Sequence, residues 1–116
     1  MFAGIGSFAV LVNDAKKAAK WYEEKLGFEV NSQGHWVTVN PKGSKVTIHL
    51  CEKCDDWEGD KPGGNTGIYL TSDDKEKTYR ELKARGVQFK VELTEAPWAS
   101  GKYAILRDLD GNEYWM

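Results

Sequence analysis

His49, Cys51 and Cys54 lie close together in the chain, and their side chains are the ones most able to do chemistry. In the pattern His-x-Cys-x-x-Cys they could give three ligands to a divalent metal, with Zn²⁺ the best match. One Cys-x-x-Cys without a second pair is a weak signature. The plainer reading is a strand-face His, a buried thiol and an exposed loop cysteine. Cys51 could also be a nucleophile with His49 as its base, because a thiolate needs a neighbouring base or cation. Positions two apart on a strand are about 7 Å apart at the backbone, so direct contact would demand favourable rotamers. Asp108, Asp110 and Glu113 form a second candidate set. However, Asp110-Gly111-Asn112 is a tight-turn sequence, which accounts for both aspartates. Glu113 is expected to point away from the Trp115 side or to sit at its mouth.

The aromatic load is the next signal. Five Trp and five Tyr in 116 residues exceed what a core of this size needs. Trp36, Tyr69 and Trp115 fall on expected strand faces, and Trp57 and Trp98 fall in expected loops. Aromatic walls bind flat or amphipathic organic molecules by apolar burial and stacking. Ordinary sheet packing and a subunit interface explain them equally well. Trp57 lies among Asp55, Asp56, Glu58 and Asp60. That acidic loop could draw in a cationic ligand or simply be a solvated lid.

The elements that must position these residues follow from the pattern. At 116 residues and 13.1 kDa, one domain is expected. A formal net charge of −2 argues against a nucleic-acid partner. No apolar run approaches the roughly 18 residues that span a bilayer, and no secretory leader is evident, so a cytoplasmic location is expected. There the two cysteines would be thiols.

Residues 5–12 read as a strand. Asp14 is a good N-cap for a helix over 15–26, with Ala15, Ala18, Ala19, Tyr22 and Leu26 on one face and Gly27 as its stop. A strand starts over 28–30, residues 31–34 look like a turn, and strands follow over 35–39 and 45–51. Residues 52–65 are polar, Gly-rich and linker-like. A strand over 66–71, a helix capped by Asp73 or Asp74 and stopped by Gly86, a strand over 87–93, a loop over 94–101 and a closing hairpin complete the chain. The grammar of strand, Asp cap, helix, Gly stop and strand is thus used twice, about 60 residues apart. The expected fold is α+β, with two tandem βαβββ modules over about 5–51 and 66–116.

Particular words carry a family resemblance. Trp21-Tyr22-Glu23-Glu24-Lys25-Leu26-Gly27-Phe28 resembles F-Y-x-x-x-L-G-F, and His35-Trp36-Val37-Thr38-Val39-Asn40-Pro41 resembles w-V-x-V-x-P. Glu81 to Val87 resembles L-x-x-x-G-V, and Asp108-Leu109-Asp110-Gly111-Asn112 resembles the terminal D-P-D-G-N with Leu109 in place of Pro. These words belong to the vicinal oxygen chelate superfamily of glyoxalases, bleomycin-resistance proteins and extradiol dioxygenases. The resemblance covers essentially the whole chain. It implies a single domain in which the two modules form an open, U-shaped, barrel-like mixed sheet around a cleft, with helices outside, often in a homodimer. Whether the sheet closes within one chain or by swapping is left open.

In metal-dependent members of that superfamily, each module gives two ligands from cleft-facing strand positions. With period-2 alternation, Ser7, Ala9 and Leu11 should face the cleft, while Phe8, Val10 and Val12 pack on the helix. Thr47, His49 and Cys51 should do likewise, the assignment depending on strand register. The resemblance puts the four ligand positions at Ser7, His49, Thr66 or Gly67, and Trp115. Only His49 is a competent donor, since Ser and Thr are poor ligands and Gly and Trp offer none. The expected function is therefore a small-molecule binding, sequestering protein without a metal cofactor. Its cleft would be lined by Ser7, Trp36, His49, Trp57, Tyr69, Trp98 and Trp115. One alternative is a metal-dependent lyase, isomerase or dioxygenase centred on His49, with Cys51 and Cys54 completing a Zn²⁺ site. Another is a protein-interaction module.

Overall fold

The computed structural model describes residues 1–52 and 60–116. These form two compact units, Met1–Pro62 and Gly63–Met116. Both follow the order βαβββ, so the fold is α+β, and each module carries an open, mixed four-stranded sheet.

The first module begins with β1 (Ser7–Leu11) and α1 (Ala15–Trp21). The Asp14 side chain accepts a hydrogen bond from Lys17 N at 3.1 Å, and Glu52 Oε1 accepts one from Ala15 N at 3.0 Å. Two of the donors that every helix start leaves over are thereby satisfied. Ala15, Ala18 and Ala19 are buried, and their small size lets the helix lie close on the sheet. A π-helical turn, Tyr22–Leu26, follows α1 and ends at Gly27, whose φ of +69° suits glycine. The extra residue in that turn accompanies the complete burial of Tyr22, which packs edge-on against Trp21 and tilted against Phe28. The helix expected over 15–26 is thus two kinds of helix in series.

β2 (Glu29–Gln33), β3 (Trp36–Asn40) and β4 (Thr47–Cys51) complete this sheet in the order β1-β4-β3-β2. β1 and β4 run parallel, while the other pairs are antiparallel. The turn expected over 31–34 is instead strand through Gln33, and the reversal falls at Gly34 and His35. Every residue of β2 is exposed, so the strand is held by pairing with β3 rather than by burial. Val37, Val39, Ile48 and Leu50 form the helix-side core with Val10 and Val12.

The second module comprises β5 (Gly64–Tyr69), α2 (Lys75–Ala84), β6 (Gln88–Glu95), β7 (Lys102–Arg107) and β8 (Asn112–Trp115), in sheet order β5-β8-β7-β6. Asp74 is the N-cap of α2, accepting from Lys77 N at 3.1 Å. β5 starts two residues before the expected Thr66, and β6 runs two past the expected Leu93. Ile68, Leu82, Val87, Ala104, Leu106, Tyr114 and Met116 are its buried apolar residues on the helix side. α2 is also tied to β6 at the surface, where Glu92 accepts from the Tyr79 hydroxyl and from Lys83.

The closing turn is organised by Asp108. Its Oδ1 accepts from Asp110 N at 2.9 Å and Asn112 N at 2.8 Å, and its Oδ2 accepts from Asn112 Nδ2 at 3.0 Å. Asn112 Oδ1 in turn accepts from Gly63 N at 2.9 Å, which ties the turn to the start of the module.

Candidate functional site

In the first module, the face of the sheet away from α1 carries His49. Its Cα partners are Ala9 on β1 and Thr38 on β3, while its neighbours Ile48 and Leu50 are buried on the other side. Trp36, two residues before Thr38, lies on the same face. Its ring stacks on His49 with centroids 3.6 Å apart and planes 23° apart. Trp36 remains 51% exposed, so it keeps surface for a ligand. Burial holds the His49 pKa below its ordinary 6.5, and the neutral imidazole both stacks and offers one donor and one acceptor.

Trp36, His49, His35, Cys51, Lys16 and Gln33 line an open depression of about 570 Å³ at this end of the module. The Cys51 thiol donates to the Glu52 carbonyl at 3.2 Å, a contact of the protonated form that does not promote a thiolate. Ser7 is exposed on β1. Leu11 pairs with Cys51 on the His49 side and Phe8 pairs with Ile48 on the helix side, yet Leu11 is buried and Phe8 is 41% exposed.

In the second module, the face away from α2 carries an aromatic group centred on Trp115. Tyr69 and Trp115 are Cα partners on adjacent strands, with ring centroids 5.8 Å apart. Tyr103 of β7 stacks on Trp115 at 5.7 Å and 24°. Trp98, from the loop between β6 and β7, lies 5.8 Å from Trp115 and 4.5 Å from Tyr103. Trp115 Nε1 donates to Asn65 Oδ1 at 3.1 Å, which fixes the indole in its plane. Tyr69 and Trp98 are each 55% exposed. The group is therefore an open platform of four rings, pre-ordered by mutual contact and one hydrogen bond.

Glu113 lies on this same face, which removes the first of its two expected placements, pointing away, and leaves the second. It shares Cα register with Asn65, whose side chain holds Trp115, and with Arg107. The Lys90 Nζ is 3.3 Å from its Oε1 and the Arg107 Nε is 3.7 Å from its Oε2. The sequence signal was present: 113 and 115 differ by the strand period of two. Lys90 and Arg107 were missed because cross-strand partners are not written in one sequence.

With Asp74 as the cap, the position equivalent to Ser7 falls at Gly67 rather than Thr66. Ser7, His49, Gly67 and Trp115 then occupy the positions that the superfamily resemblance assigned to metal ligands. These side chains do not fit a metal. His49 alone has a competent donor, and the Trp115 indole nitrogen is itself a hydrogen-bond donor to Asn65. Among the described residues, no group of three or more His, Cys, Asp or Glu is placed to hold one. Cys54 and Trp57, with Asp55, Asp56 and Glu58, lie outside the described residues, so the Zn²⁺ set and the acidic loop stay at the level of sequence. Among the described residues, no helix is long and apolar enough to cross a membrane.

The model of the Glyoxalase/Bleomycin resistance protein/Dioxygenase superfamily matches residues 4–116. YetH of Bacillus subtilis (strain 168) is 29% identical over 122 residues, spanning 100% of this chain and 98% of YetH. A solved member of the superfamily from Sphaerobacter thermophilus is 33% identical with a TM-score of 0.86, over 98% of this chain and 95% of that one. The structure of TnmS3, an antibiotic binding protein from Streptomyces sp. CB03234, is 29% identical with a TM-score of 0.81, over 98% of this chain and 93% of that one.

Proposed function

The chain belongs to the Glyoxalase/Bleomycin resistance protein/Dioxygenase superfamily, and from that premise we propose that it is a binding protein that sequesters a flat organic molecule. The observation that carries this reading is the exposed four-ring platform of Tyr69, Trp98, Tyr103 and Trp115. Trp115 stands where catalytic relatives would need a carboxylate, and it turns a ligand position into a stacking surface. The likeness to an antibiotic binding protein supports the same reading. Trp36 on His49 gives the first module a second stacking surface of the same chemistry.

The test is titration of Trp fluorescence with neutral planar arenes, anthracene-2-carboxamide among them, on wild type and Trp115→Ala. Offset stacking contributes about 0.5–1.5 kcal/mol beyond area burial, so loss of the central ring should weaken binding about tenfold. Saturable quenching that weakens this way supports the proposal. Absence of saturation, or a Trp115→Ala variant with unchanged affinity, sinks it.

The same reading includes a homodimer. Met1, Phe2, Ile5 and Phe8 are exposed apolar side chains near the start of the first module, which a second copy would cover. A monomer in sedimentation velocity across micromolar concentrations would remove that part and leave the binding proposal standing.

A further inference from the structure

Beside the aromatic platform lies a charged group that stacking does not use. Glu113 and Trp115 alternate onto one face of β8, about 7 Å apart along the strand. Arg107 opposes Glu113 on β7, and Lys90 reaches it from β6. Two cations meet one carboxylate, a formal excess of one positive charge at this spot in a chain whose net charge is −2. The exposures are also unequal. The Glu113 side chain is only 10% exposed, whereas those of Lys90 and Arg107 are 48% and 42% exposed. A solute that lands on the rings therefore meets the cations before the carboxylate. Lys carries three N–H donors and Arg five, and one carboxylate cannot occupy them all.

We propose that the ligand of the platform is an anionic arene, its rings on Trp115 and its neighbours and its carboxylate or phenolate oxygen on Lys90 and Arg107. This rests on the binding reading above and adds the charge of the ligand. Glu113 keeps the excess at one charge and competes with the ligand's acid group for the two cations. The span from Trp115 to Glu113 is that of a two- or three-ring arene with an acidic substituent at one end.

The experiment compares three isosteric probes on the intact protein: anthracene-2-carboxylate, anthracene-2-carboxamide and 2-(aminomethyl)anthracene. A charge-assisted contact should make the carboxylate bind about tenfold tighter than the amide, with the ratio shrinking as salt is raised. Replacing both cations, K90Q with R107Q, should remove that ratio by weakening the carboxylate more than the amide. That double variant leaves Glu113 covered and unpaired, and folding could fail. Glu113→Gln then decides, because it removes the competing negative charge and should tighten the carboxylate with little effect on the amide. Equal affinity for carboxylate and amide in wild type, preference for the amine, or a Glu113→Gln variant that does not tighten the carboxylate would overturn the inference and leave the platform intact. Failure of all three probes to bind would overturn the platform itself.

Discussion

Trp36 lies flat against His49, ring centroids 3.6 Å apart, on the open face of the first sheet. The indole takes water from one side of the imidazole, and the covered ring titrates below 6.5 because burial penalises its charged form. In Trp36→Ala the His49 pKa should rise back toward 6.5, read from the ring-proton shifts in an NMR titration. The sign for stability follows from linkage. The unfolded chain protonates near pH 6.5 and the folded one only at lower pH, so stability is complete above that range and falls as pH drops from 6.5 to the folded value. His49→Gln should flatten this part of the pH dependence of urea unfolding. A His49 that titrates at or above 6.5 in the wild type would contradict the account.

Asp108 should matter more to stability than any exposed charge. Its carboxylate accepts three hydrogen bonds within the turn, two of them from backbone N–H groups, and it is buried. Asp108→Ala leaves those donors without their acceptor. A cost of about 2–4 kcal/mol is expected, since each unsatisfied buried group costs about 1–3 kcal/mol and water recovers part of it. Urea denaturation of the variant measures this directly. Asp108→Asn keeps one acceptor oxygen and should lose less.

The local grammar of the fold was legible because it is chemical at single residues. Asp14 and Asp74 cap, and Gly27 and Gly86 follow the helices. β2 was not legible. Its sequence, Glu29-Val30-Asn31-Ser32-Gln33, is polar and fully exposed, so no alternation marks it, and only its pairing with β3 makes it a strand. The site was half legible. Aromatic content pointed to stacking, but the joining of Trp98 to Trp115 depends on how a loop returns to the sheet. The Lys90–Glu113 contact was hidden further by the irregular register between Phe89 and Val91, which turns Lys90 onto the open face.

The residues at the four expected ligand positions lead to the last prediction. Ser7, His49, Gly67 and Trp115 cannot make a facial triad or a mixed His and carboxylate set, whatever the arrangement of the chain around them. A lone neutral imidazole stacked on an indole binds a divalent ion weakly, because one donor leaves the ion to water for its other ligands. Protein purified without affinity metal or chelator should therefore carry only a small fraction of an equivalent of Zn, Ni, Mn or Fe by elemental analysis. His49→Ala should not change that content. Near-stoichiometric metal that disappears in His49→Ala would revive the lyase or dioxygenase alternative and bring Cys51 and Cys54 forward as ligands. Stoichiometric metal that survives the substitution would point instead to a donor set without His49, and paired Cys51→Ser and Cys54→Ser variants would locate it.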